Sequence, residues 1–267
     1  MKQQYTHFNM LKLDIHMGAY VELSHRWKRE NVCSPFTRLY YIHTGAGYLR
    51  CHGQLITLEP GYAYLIPSGC QFDYGCTQMN KLFFHITLTG AEGTDLLSNF
   101  REICRIPWSE EQLQQLMQCN GAQDYGSLIR LKAMIHRTIE NCMAVSPLPP
   151  MPVQQYSPLV QDALLYIRQN LTHGLRCADI ADALFTSESR LRKYFRQELG
   201  MPIGNYIDEQ VLLRAKQLLL DETVPIGWIS QSLGFCDQFY FSRRFREKFH
   251  QTPSAFRKEA VPFPQDS

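Results

Sequence analysis

The sequence predicts a two-domain α+β chain. A β-rich half folded as a sandwich or barrel with added helices is followed by an all-α half made of two helix-turn-helix units. Three observations carry this reading. From Ala19 to about Thr89, short runs rich in Tyr, Ile, Leu and Phe are punctuated by Gly and Pro, the signature of several short strands. From Ala178 to Lys258, apolar residues recur at helical spacing and the segment repeats itself. Between the two lies Ser146–Tyr156, with four prolines in seven residues, which reads as an extended, semi-rigid linker. A length of 267 residues suits two domains of ordinary size, each with its own core.

The repeat is the most informative stretch. A slide of fifty positions lays Leu191 on Phe241, Lys193 on Arg243, Phe195 on Phe245, Arg196 on Arg246 and Tyr206 on Phe256. Each copy begins with a short scaffold helix, predicted at 178–184 and 226–233, followed by a turn. Ser187 and Asp237 then stand where a short side-chain oxygen can cap the next helix. In those helices Leu191, Tyr194, Phe195 and Leu199, and likewise Phe241, Phe245 and Phe249, form an inward stripe. The outward face is basic: Arg190, Arg192, Lys193 and Arg196 have no acid among them, and Arg243, Arg244, Arg246 and Lys248 have only Glu247. One such helix alone would pass for a solvated surface. Two in register fit docking in the major groove, where phosphates supply affinity and base edges supply sequence.

Gly234 to Arg257 reads GF-x-D-x-x-YFSR-x-F, then seven residues, then P-x-x-F-R. With the repeat, this segment resembles the DNA-binding domain of the AraC/XylS family of bacterial transcription regulators. The resemblance implies one long helix, about 203–220, joining the two units. It implies base-facing residues Ser189, Arg192 and Lys193 in the first unit and Gln238, Phe239, Ser242 and Arg243 in the second. Arg190, Arg196, Arg246 and Lys248 would then meet phosphate. It further implies double-stranded DNA, RNA polymerase and a second copy of the chain as partners. Three positions depart from the family pattern. Arg176 stands where a capping Ser or Thr is usual, Val211 where a basic residue is usual, and His250 where a glycine is usual. Losing the cap would cost roughly 1 kcal/mol if nothing replaced it.

Net charge is only +2, so nucleic-acid binding must come from local clustering. Nine cysteines are scattered without C-x-x-C or zinc spacing, which points to reduced thiols in a cytoplasmic protein. The first thirty residues lack the apolar core of a signal peptide, and no run is long enough to cross a bilayer, so no membrane partner is expected. Residues 1–18 read as an arm with apolar handles at Tyr5, Phe8, Met10, Leu11 and Leu13.

Within the first domain, taken as 19–145, strands are predicted at 19–24, 36–43, 46–51, 54–58, 62–66 and 81–88. Turns are predicted at Thr44-Gly45, His52-Gly53, Glu59-Pro60-Gly61 and Pro67-Ser68-Gly69. Strand 81–88 alternates Lys81, Phe83, His85 and Thr87 with Leu82, Phe84, Ile86 and Leu88. The all-apolar face must pack, which leaves the mixed face to line a cavity. Helices are predicted at 92–106, 109–119 and 125–145, the last striped by Leu128, Leu131, Ile135 and Ile139. An amphipathic helix of this kind either pairs two copies or covers the barrel of its own chain. Residues 146–156 are the linker, and 157–260 the DNA-binding domain, opened by a helix at 157–171.

The stretch from Phe36 to Gly69 resembles the cupin-like sensing domain, a jelly-roll β-barrel, of the sugar-responsive, arabinose-regulator-like branch of the same family. That resemblance implies a ligand site at Tyr74, Lys81 and Phe83, extending towards Trp27 and Arg29. His85 joins them on the mixed face, and Tyr62 and Tyr64 either add to the lining or belong to the core. His43 has no H-x-H partner and Phe72 occupies the place of the later histidine, so no metal centre is expected, although His25, His43, His52 and His85 could converge in space. Neither cofactor nor catalytic residue is expected. The sequence therefore reads as a DNA-binding regulator, an activator, answering a sugar or related small molecule. Two rivals stand beside it: a regulator whose barrel only dimerises or docks a partner protein, and a catalytic cupin fused to a DNA anchor.

Overall fold

A computed structural model describes residues 11–90, 95–149, 156–220 and 223–260. Residues 11–149 form one compact unit and residues 156–260 another, so the division falls inside the predicted linker. Linker positions 150–155 and the arm residues Tyr5, Phe8 and Met10 lie outside the described residues.

The first unit is a seven-stranded antiparallel sheet: β1 (Lys12–Ser24), β2 (Lys28–Cys33), β3 (Thr37–Cys51), β4 (Gln54–Leu58), β5 (Tyr62–Ile66), β6 (Gln71–Thr89) and β7 (Cys104–Pro107). Their order is β1-β6-β3-β5-β7, with β2 also on β6 and β4 also on β3. The two long strands serve two sets of neighbours. β6 pairs with β2 over 71–75 and with β1 over 78–89, while β3 pairs with β5 over 38–41 and with β4 over 47–51. Between these halves the β3–β6 register shifts twice, after Ile42 and after Ala46. Gly45 sits between the shifts at φ 73°, where a Cβ would lie 2.2 Å from the Gln78 carbonyl oxygen, so the bend requires glycine. Among the described residues no pairing joins β4 or β7 to β1 or β2. The expected barrel is thus an open sheet.

One face of β3 and β6 carries Leu39, Tyr41, Leu82, Phe84, Ile86 and Leu88. It packs against α1 (Glu110–Asn120) through Leu113 and Leu116, and against α2 (Tyr125–Val145) through Leu131, Ile135 and Ile139. The Tyr41 hydroxyl meets Thr138 Oγ1 at 2.7 Å within that interface, so these two buried hydroxyls satisfy each other. α2 therefore covers the sheet of its own chain with one face. Leu128, expected in its buried stripe, is 45% exposed instead.

The strand predicted at 19–24 begins at Lys12, so residues 12–18 of the expected arm belong to β1. The predicted turn at Thr44-Gly45 is a bend within one continuous strand. The helix predicted at 92–106 is a short 3-10 turn at Leu96–Asn99 followed by β7; its residues 92–94 lie outside the described residues. Asp95 explains the change, because its carboxylate accepts from the N–H groups of Leu97 at 3.1 Å and Leu88 at 3.0 Å, closing the turn onto β6. Cys104 and Ile106 then alternate inward while Arg105 and Pro107 face out, a strand pattern.

The second unit is helical: α3 (Pro158–Gln169), α4 (Cys177–Ala183), α5 (Glu188–Leu199), α6 (Ile203–Leu218), α7 (Ile226–Ser232), α8 (Gln238–Phe249) and α9 (Pro253–Ala260). α4–α5 and α7–α8 are the two predicted repeats, and α6 is the long helix between them. The repeat is not uniform. α5 and α8 begin 50 residues apart, but α4 and α7 begin 49 apart, so the second turn holds one more residue. Equivalent bonds close the two turns: Thr186 N–H to the Ala181 carbonyl at 2.9 Å and Phe235 N–H to the Ser230 carbonyl at 3.0 Å. Each turn needs a left-handed residue just before that bond. Gly234 supplies it at φ 78°, whereas Phe185 supplies it at φ 51° with its ring 98% exposed. The same contrast recurs after α5 and α8, which end on Gly200 at φ 74° and His250 at φ 59°.

The missing cap at Arg176 is offset from the other side. Asp179 accepts from the Arg176 N–H at 2.8 Å and from its guanidinium at 3.2 Å, and these bonds hold the Asp179 carboxyl below the usual carboxylate range.

Candidate DNA interface and candidate effector site

α5 and α8 each turn a large apolar pair inward: Leu191 and Phe195 in one, Phe241 and Phe245 in the other, all fully buried. Ser187 Oγ accepts from the Arg190 N–H at 3.3 Å and Asp237 Oδ1 from the Tyr240 N–H at 2.7 Å, so both helices start where the sequence placed their caps. The inward pair fixes the rotation of each helix. Consequently Ser189, Arg192, Lys193 and Arg196 form an exposed stripe at i, i+3, i+4 and i+7, with exposed Arg190 beside it. Fifty residues on, Phe239, Ser242, Arg243 and Arg246 repeat that stripe, with exposed Gln238 at the helix start. Ser242 is half-buried, and the Phe239 ring is 89% exposed. A ring so placed on a basic helix can meet a thymine methyl.

The two basic faces differ in how free they are. Lys193, Arg196, Arg190, Arg243 and Arg246 make no ion pair among the described residues, and the Arg243 guanidinium lies 5.2 Å from the Tyr240 ring. Arg192 pairs with Glu188 one turn back. Arg244 is bound by Asp208 and, at 2.7 Å, by Glu247, while Lys248 is bound by Glu209. Asp208 and Glu209 belong to α6, so these pairs tie the second recognition helix to the long connecting helix. The sequence reading counted only Glu247 against this face because acids 36 to 39 residues away are invisible to local spacing. Lys248, expected at phosphate, is here paired with Glu209.

Val211, noted as a departure, is fully buried on α6 beside Tyr206, Ile207 and Leu212 in the unit's core. A cation could not sit there unpaired.

In the first unit, the mixed face of β6 is also turned inward. Lys81, Phe83 and His85 are buried, as are Tyr74 and Trp27, while Arg29 is half-buried opposite Tyr74 in the β2–β6 ladder. Trp27 stacks on Tyr74 with centroids 4.3 Å apart, and Phe83 lies 5.0 Å from His85. The six expected ligand residues are thus brought to one side of the sheet. Residues missed by the sequence complete the group. Phe36 stacks on His85 at 4.2 Å, Tyr40 lies edge-on to Trp27, Phe72 neighbours Tyr74, and Arg38 reaches among them. A charged residue between apolar Phe36 and Leu39-Tyr40-Tyr41-Ile42 was the available signal for Arg38. Tyr64 belongs to the core, donating to the Thr57 carbonyl at 2.9 Å, and Tyr62 lies under the Arg105 guanidinium at 3.6 Å.

Two clefts open elsewhere on this unit. One of about 240 Å³ is lined by residues including Cys51, His52, Pro67, Cys70, Phe100 and Arg101, and one of about 40 Å³ by residues including Tyr41, Trp108 and Met134. Neither takes in any of the six expected ligand residues. Among the described residues, no three His, Cys, Asp or Glu side chains come together as a metal-ligand set. His43 instead meets the Tyr20 hydroxyl at 2.7 Å. No helix among the described residues is long and apolar enough to cross a membrane.

A helix-turn-helix domain model matches residues 180–259, which takes in both units from α4 to α9. The chain is 29% identical over 231 residues to the arabinose operon regulatory protein of Salmonella typhimurium, covering 80% of each. It is 26% identical over 232 residues to the Msm operon regulatory protein of Streptococcus mutans, covering 83% of this chain and 84% of that one. With the xylose operon regulatory protein of Haemophilus influenzae it shares 35% identity over 100 residues, which span 38% of this chain and 26% of that relative. Paired helix-turn-helix units with exposed basic stripes, matched to regulators along most of the chain, define a DNA-binding transcription regulator. These likenesses support a regulator of the AraC/XylS type.

Proposed function

We propose that this regulator is an activator in which residues 19–145 sense a small molecule, a sugar or related metabolite, and pass the signal through the 146–156 linker to the DNA-binding domain at 157–260. The observation that carries the DNA-binding half is the duplicated stripe. Ser189, Arg192 and Lys193 in one unit and Gln238, Phe239, Ser242 and Arg243 in the other read base edges, while Arg190, Arg196 and Arg246 hold phosphates. Two such helices on one domain enter successive major grooves about 34 Å apart.

The sensing half is supported by the convergence of Trp27, Tyr74, Lys81, Phe83 and His85, with Arg29 at its margin, and by relatives that regulate arabinose and Msm operons. Rings offer C–H faces a platform, and a few polar groups orient hydroxyls. The first domain is in this reading a cupin-like jelly roll of the sugar-responsive branch, without cofactor or catalytic role, in a cytoplasmic homodimer that recruits RNA polymerase. The effector must bind one arrangement of the dimer better than the other, because equal affinity shifts nothing.

A second reading, that this domain only dimerises or docks a partner protein, is favoured by α2, which exposes Tyr125 and Ile129 on the face turned from its own sheet. Melting of the full chain against sugars, polyols, sugar acids and small aromatics separates the two. An effector at about a hundred times its dissociation constant adds about 2.7 kcal/mol to the unit that binds it. Silence across the whole panel would move the weight to dimerisation or docking.

A further inference from the structure

Lys81 and Arg38 are each only 2% exposed, and both lie on the inward side of the first unit's sheet. Lys81 Nζ sits 3.3 Å from the centre of the Tyr40 ring, 4.1 Å from that of Trp27 and 5.8 Å from that of Phe83. It makes no hydrogen bond or ion pair among the described residues. Arg38 donates to Ser34 Oγ at 2.9 Å and to the Tyr40 hydroxyl at 3.1 Å, and its guanidinium lies 5.3 Å from the Phe36 ring and 5.7 Å from that of Phe72. The two cations share Tyr40, one over its ring and the other on its hydroxyl. No carboxylate reaches either of them among the described residues. The acids that do lie nearby are weak ones, since burial pushes the Cys76 thiol and the Tyr74 phenol up and keeps both neutral.

Burying one cation without a counter-ion is costly, and burying two next to each other adds repulsion. Ring faces recover part of the loss through their quadrupoles, but a guanidinium cannot shed its charge to recover the rest. Burial, and after it the charge of neighbouring Arg38, holds Lys81 well below its usual range. Such an arrangement lowers the stability of the ligand-free fold and is relieved when an anion enters.

We propose that the effector is an organic acid, whose anionic group is held between Lys81 and Arg38 and whose body lies against Trp27, Tyr74 and Phe83. This rests on the sensing role proposed above and narrows its ligand class from sugars in general to acids. A carboxylate between the two cations makes charge-assisted bonds where a neutral hydroxyl of the same shape makes ordinary ones, and the difference amounts to roughly tenfold in affinity per bond.

The test is melting of the full chain with matched pairs: glucuronate and glucose, galacturonate and galactose, benzoate and benzyl alcohol, phenylacetate and phenethyl alcohol, with inorganic phosphate as the bare anion. At least one organic acid is expected to raise the melting temperature at a concentration where its neutral partner does not. Lys81→Met and Arg38→Met should each abolish that shift. Ligand-free Lys81→Met should also melt a few degrees higher than the parent, since it replaces a buried amino group that has no hydrogen-bond partner with an apolar chain of similar length. If neutral members act as strongly as their acids, the sensing role stands and the acid assignment falls. If phosphate alone reproduces the effect, the organic body plays no part and the assignment falls too. If nothing shifts, both fall. A ligand-free Lys81→Met protein that melts lower would mark Lys81 as structural and overturn the proposal without reference to any ligand.

Discussion

Phe245→Ala is expected to lower the stability of the helical unit by about 3–5 kcal/mol, the range for emptying a fully enclosed phenylalanine site. Phe245 is fully buried at the centre of an aromatic chain, with Phe249 at 4.7 Å, Phe256 at 5.6 Å and Phe241 at 5.8 Å. Those partners come from α8 itself and from α9, so the site cannot collapse without moving two helices. Each aromatic pair is worth about 0.5–1.5 kcal/mol beyond its area, and three would be lost together. Against a total of about 5–15 kcal/mol for a domain, the loss would leave the recognition helices partly unfolded near body temperature. Phe239→Ala is the control, because an exposed ring contributes within about 0.5 kcal/mol. Denaturant titration of the full chain, followed by circular dichroism of the helices, checks both. A Phe245→Ala loss under 1 kcal/mol would mean that α8 is not held by this stripe.

Lys193→Ala and Arg196→Ala should weaken DNA binding in different ways although they stand three residues apart on α5. Lys193 occupies the middle of the exposed stripe, where a cation favours guanine, and its loss should cost about 1–3 kcal/mol on the preferred sequence while sparing random DNA. Arg196 lies in the last turn of α5, farther from the helix start, and is assigned to phosphate. Its loss should weaken all duplexes alike and reduce the salt slope by about one. Affinity measured on selected and random duplexes across salt concentrations resolves the two patterns. The same loss on both DNA types for both variants would contradict the assignment of roles.

How much of this was legible in the sequence depended on whether the controlling contacts were local. The helices of the second unit were, since caps such as Ser187 and Asp237 and inward residues such as Leu191 and Phe245 act within a turn or two of each other. The sheet was legible only where strands alternate strongly. β2, with the sequence KRENVC, and the polar first half of β6 were missed because they carry little apolar signal, and their pairing partners supply what propensity does not. At residues 96–107 a single side chain, Asp95, turned an apparent helix into a 3-10 turn and a strand.

The candidate sites divide in the same way. The basic stripes follow from periodicity, but the acids that occupy Arg244 and Lys248 come from α6 and could not be read from spacing. In the first unit, alternation in β6 indicated Lys81, Phe83 and His85. Phe36, Arg38 and Phe72 joined them only once the folded sheet brought β3 and the start of β6 to the same side.

The central claim is that both units read DNA at once, and hydroxyl-radical footprinting on a duplex selected from a random pool tests it most directly. Each subunit should protect two patches on one face of the duplex, about 10–10.5 base pairs apart. Lys193→Ala with Arg192→Ala should erase one of these patches and Arg243→Ala with Ser242→Ala the other. A single patch per subunit, or loss of both from either pair of changes, would contradict the account.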